Sequence, residues 1–136
     1  MSKIKTILIA SVLFSTGCGI YLTCRQNIIG LNIFKGQKWL EYIKIDLRYN
    51  GNPFVYFFLF CFSDMLWYLA LLLIQSVIYD PKMLLSKILF YCAVLLPFVL
   101  EFLQLFHLIP GTYDSFDLLV YCFTLSIFII IKKKSL

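Results

Sequence analysis

Charge is what this sequence has least of. Only 14% of its 136 residues are Asp, Glu, Lys or Arg, while 62% are hydrophobic; an average soluble domain is about 25% charged. A soluble domain of this size keeps much of its surface in water, and so small a polar share could not cover it. Histidine occurs once, as His107, so no Ser-His-Asp or Cys-His arrangement can be argued from spacing. The five cysteines, at 18, 24, 61, 92 and 122, never fall in a CxxC spacing. They read as small apolar residues in helix contacts rather than metal or redox ligands. Internal repeats, a Gly-rich phosphate loop and low-complexity stretches are missing too. The residues therefore identify no cofactor, no metal ligand set and no contiguous nucleophile–base pair.

What is present is a series of long uncharged runs. Between Lys5 and Arg25 there is no charge, a gap close to the ~20 residues that cross a hydrocarbon core. Further apolar runs extend from Pro53 to Tyr79, from Ser86 to Leu108, and from Tyr113 to the triple lysine at Lys132. These predict a single all-α transmembrane domain over 1–136, a four-helix membrane bundle with spans at 5–24, 53–79, 86–108 and 113–131. Pro53 suits a helix start, and Pro97 falls inside the third span, where membrane helices tolerate a kink.

The net charge of +5 does not describe a nucleic-acid binder, because the basic residues border the spans. Lys3, Lys5, Lys82, Lys87 and the C-terminal lysines all fall on one side of a four-span chain. The positive-inside bias makes that side cytoplasmic, so both ends are expected inside. The outer loop from Arg25 to Asn52 is also basic. Within it, KWLEYIKIDL puts Trp39, Leu40, Ile43 and Leu47 on one face, as in a helix lying flat in the outer interface. Phe14-Ser15-Thr16-Gly17-Cys18 has small residues before a cysteine, as lipoprotein signals do. However, Ser15 stands where a large aliphatic residue is expected, and apolar sequence continues past Cys18, so an uncleaved helix is expected.

Carboxylates inside the spans are the informative exceptions, since charge in hydrocarbon is costly. At about 1.5 Å per residue, Asp64 lies roughly 22 Å above Tyr79, Glu101 roughly 22 Å above Ser86, and Asp117 roughly 21 Å above Ile131. Three acids on three helices thus share one level in the outer third of the membrane. Gln104 and Asp114 sit about one turn higher. Glu101, Gln104 and Leu108 share a face by spacing, as do Asp64 with Trp67 and Asp114 with Asp117. If those faces turn inward, they line an outward-opening polar pocket. Its acids need protonation, a cation, a basic partner (His107, Arg25 or Arg48), or the amine or metal-bound phosphate of a ligand. The structural alternative is interhelical hydrogen-bond glue.

The stretch Glu101–Tyr121, EFLQLFHLIPGTYDSFDLLVY, with SDMLWYLALLL around Asp64 and Trp67, resembles the VanZ-like family of small bacterial membrane proteins. The shared pattern is E-x-x-Q, a Pro-Gly loop and a D-x-x-D opening the last helix. The likeness covers about residues 50–131. Thr112 stands where many members carry arginine, and Tyr121 where they carry asparagine, which marks a variant subgroup. The resemblance implies a multi-pass protein of the bacterial cytoplasmic membrane. It also implies a link to low-level resistance against teicoplanin-type glycopeptides.

Three function classes are open from the sequence. The first is an accessory or binding protein holding a lipid-linked or amine-bearing envelope molecule at Asp64, Glu101, Gln104, Asp114 and Asp117, with Trp67 as a packing wall. The second is a metal-dependent enzyme acting on a lipid-linked phosphate. The third is a small transporter, or a structural subunit working with a partner membrane protein or another copy. Four-helix exporters carry a key glutamate in their first span, and residues 6–24 here hold no carboxylate.

Overall fold

The computed structural model describes residues 2–24, 53–110 and 113–134. Among them every regular element is helical: α1 (Lys3–Cys24), α2 (Pro53–Tyr56), a π-helical turn (Phe57–Cys61), α3 (Phe62–Ile78), α4 (Leu84–Leu105) and α5 (Ser115–Lys134). The elements α2, π and α3 follow one another without a break over the stretch expected as the second span, within which α3 is a shorter apolar helix. α1, α4 and α5 are each long and apolar enough to cross a membrane. The chain is an all-α helical membrane bundle. The flat helix expected around Trp39, Leu40, Ile43 and Leu47, and the basic residues Arg25 and Arg48, lie outside the described residues.

α3 is the hub on which α1, α4 and α5 all pack, and α1 packs almost wholly on α3 and the π turn. The contacts fix the direction of each helix. Phe14 stacks on Trp67 at 5.8 Å, and Gly17 lies against Ser63 and Leu66. Lys3 is therefore at the Ile78 end of α3, and α1 runs antiparallel to it. Tyr79 meets Phe90 at 5.1 Å while Tyr68 donates to the Val94 carbonyl at 2.9 Å, so α4 is also antiparallel. In α5, Lys132 reaches the Ser76 carbonyl at 3.4 Å and Asp117 faces Cys61, so α5 is parallel to α3. The up–down order gathers Lys3, Lys5, Lys82, Lys87, Lys132 and Lys133 at one end, with the intramembrane acids at the other.

Small residues make the α1–α3 contact. Thr6, Ala10 and Gly17 are the buried positions of α1. A Cβ at Gly17 would sit 3.1 Å from the Ser63 carbonyl oxygen, a backbone atom that cannot swing aside, so glycine suits this approach. Close backbone contact through small residues is how membrane helices associate when no hydrophobic force distinguishes lipid from neighbour. Two α1 threonines bond within their own helix: Thr16 donates to Val12 O at 2.8 Å and Thr23 to Gly19 O at 2.7 Å.

α4 differs from the expected span 86–108 at both ends. It begins at Leu84 and stops at Leu105, because His107 takes a left-handed conformation with φ 55°. The His107 N–H bonds to Gln104 O at 2.9 Å and the Leu108 N–H to Leu103 O at 2.9 Å. That pair of bonds is a Schellman closure with His107 in the position usually given to glycine. Leu108 thus leaves the helix and does not share a helical face with Glu101. Pro97 is accommodated inside α4. It has no N–H for the carbonyl of Ala93, its ring spreads the turn, and the Tyr68 hydroxyl caps the neighbouring Val94 carbonyl.

Candidate functional site: an acidic layer above an aromatic floor

α5 begins with a capped turn that sets the site. Asp114 is its N-cap, and its Oδ1 accepts the Phe116 N–H at 2.9 Å. In an ordinary capping box the acid three residues on, here Asp117, would reach back to the N-cap N–H. Instead Glu101 of α4 takes that role, its Oε2 accepting the Asp114 N–H at 3.3 Å. Glu101 is almost fully buried, at 5% exposure, so this bond ties α4 to the start of α5. Asp117 is thereby left to turn inward, beside the Cys61 thiol. Its Oδ1 is buried with no hydrogen-bond partner among the described residues.

Asp64, on α3, accepts the Ser63 hydroxyl at 3.4 Å. Asp117 lies within electrostatic reach of Asp64, Glu101 and Asp114, and Glu101 within reach of Asp64 and Asp114. The fold therefore brings together four of the six residues singled out from sequence. The α5 N-terminus supplies some positive potential to three of them, the end of its helix dipole worth roughly +0.5 charge.

The remaining two stand differently. Gln104 is half-buried on α4, one turn beyond Glu101. Trp67, expected to wall the acids, lies on another face: it is 55% exposed and stacks on Phe14 of α1. A separation of three residues leaves side chains about 60° apart around a helix. In α3 that angle sends Asp64 toward α5 and Trp67 toward α1. His107, considered as a basic partner, is exposed and serves through its backbone.

The floor is not anticipated by the sequence. Tyr68, Phe98 and Tyr121 meet edge to face, with centroids 5.6 Å apart for Tyr68–Tyr121, 5.9 Å for Phe98–Tyr121 and 6.4 Å for Tyr68–Phe98. Each lies one turn from an acid on its own helix: Tyr68 below Asp64, Phe98 below Glu101, Tyr121 below Asp117. Edge-to-face packing of this kind adds roughly 0.5–1.5 kcal/mol per pair beyond area burial. The rings lie between the acidic layer and the lysine end. Cys61 is a further site residue, although the cysteine spacings read only as packing. Its separation of three from Asp64 is the signal that could have found it.

Among the described residues, no group of three His, Cys, Asp or Glu side chains is placed to hold a metal ion. The arrangement offers an anionic layer above packed rings, with one carboxylate oxygen that has no partner among the described residues. Comparison of the chain with known family models, with curated proteins and with solved structures finds no match.

Proposed function

We propose that this protein is a binding or accessory component of the bacterial cell envelope. It sits in the cytoplasmic membrane with its lysine end inside and its acidic layer facing out. There it holds an amine-bearing or lipid-linked envelope molecule through Asp64, Glu101, Gln104, Asp114 and Asp117. The observation that carries this reading is the buried Oδ1 of Asp117, which has no partner among the described residues, beside three further carboxylates. A purely structural layer would satisfy its own acceptors, as buried polar groups do; a ligand ammonium supplies the missing donor. Glu101 and Asp114 also hold the layer in shape through their mutual bond, and their charges add to those of Asp117 and Asp64 toward the ligand. The aromatic floor fits binding better than passage, since it ends the polar path after one turn. The VanZ-like pattern supports the envelope setting, and the lysine distribution supports the orientation.

The test is extraction of the full chain with its native lipids, followed by native mass spectrometry. Wild-type protein should retain an amine-bearing or lipid-linked molecule that Asp117→Asn loses at unchanged thermal stability. Equal retention by the two proteins would refute the reading. A reporter fused after Leu136 should be active only in its cytoplasmic form.

A further inference from the structure

At the opposite end of the bundle, Lys3, Lys5, Lys82, Lys87 and Lys133 are all exposed. Among the described residues, Asp80 is the only acid there, and its Oδ1 accepts the Lys82 backbone N–H at 2.8 Å. The turn from α3 to α4 is held by the Asp80 N–H, which donates to the Ser86 hydroxyl at 2.7 Å. It presents Lys82 and Lys87 on either side of Met83, Leu84 and Leu85, which are 60%, 72% and 65% exposed. No acid lies in the first turn of α4 or of α1, so both helix N-termini add positive potential at this end.

We infer that this end, centred on the α3–α4 turn, is a docking surface for anionic phospholipid. The charge fits a phosphodiester headgroup, and the flanking leucines fit acyl chains directly beneath it. An acidic protein segment would use the lysines and leave Leu84 and Leu85 in the wrong solvent. Basic residues beside an anionic leaflet each contribute about 1 kcal/mol, which is about five-fold in affinity per lysine. The surface is independent of the acidic layer and survives failure of the binding reading above.

The experiment uses the full chain in nanodiscs of mixed phosphatidylglycerol and phosphatidylcholine, with retained lipid counted by native mass spectrometry. Wild-type protein should retain phosphatidylglycerol in excess of its bulk share, and raised salt should weaken that excess, as exposed charges are screened. The double variant Lys82→Gln/Lys87→Gln should lose the excess by at least about ten-fold, while Lys82→Arg/Lys87→Arg keeps it. A bulk-like lipid shell around the wild type, or an excess insensitive to salt, overturns the inference whether or not the glutamine variant folds. So does a folded glutamine variant with undiminished excess.

Discussion

Toward α1, α3 presents Ser63, Leu66 and Trp67 to a helix whose buried residues are Thr6, Ala10 and Gly17. Toward α4 and α5 it presents Asp64 and Tyr68, with Cys61 just before it, to Glu101, Phe98, Asp117 and Tyr121. The first contact works by close backbone approach through small residues. The second fills the space between its helices with rings, and places charge above them. One face of the same helix is scaffold and the other carries the candidate site. Substitutions should separate them.

The largest effect is expected on the scaffold face. Gly17→Leu drives a side chain into the Ser63 carbonyl, and overpacking of this kind costs about 3 kcal/mol. Thermal unfolding in detergent should show a large loss. Gly19→Leu, two residues on, should be tolerated, since none of the described residues comes within 4 Å of the position its Cβ would take. Equal loss from both would mean that α1 does not pack through Gly17.

Next comes the end of α4. His107→Val places a β-branched residue at φ 55° and should cost about 1–2 kcal/mol, whereas His107→Gly should be neutral or stabilising. If His107 instead acted through its ring, both variants would be equally damaging in the same melt.

The smallest effect belongs to the floor. Tyr68→Phe keeps the aromatic contacts and removes one bond to Val94 O, worth about 0.6 kcal/mol on average for interhelical bonds in membranes. A much larger loss would show that the Pro97 turn depends on that hydroxyl. Hydrogen exchange in the α4 turn before Pro97 would report it directly.

Much of this is legible in the sequence, and the reasons differ by element. Charge-free runs locate the helices because hydrocarbon excludes charge wherever it can. Equal depth places Asp64, Glu101 and Asp117 at one level because helical rise is regular. Azimuth is less readable: Asp64 and Trp67 are close in spacing, yet the small-residue face of α1 draws Trp67 to itself. The end of α4 is invisible because a left-handed histidine replaces the usual glycine signal. Asp114-x-x-Asp117 reads as a pair of pocket acids, whereas a capping turn gives one of them to the backbone and turns the other inward. The aromatic floor needs only the spacings of four, three and four from each acid, which hydrophobic patterning alone does not single out.

The central claim is that the acidic layer is a site and not glue. The variants Asp117→Asn and Glu101→Gln separate the two, measured for membrane abundance and thermal stability alongside retention of the co-extracted amine-bearing or lipid-linked molecule by native mass spectrometry. The Glu101→Gln amide keeps a carbonyl for the Asp114 N–H, and the Asp117→Asn amide keeps the size and shape of the acid beside Cys61. Both proteins should therefore be as abundant and as stable as the wild type. Both should lose the ligand retention expected of the wild type. Stable, abundant variants that preserve it would contradict the claim.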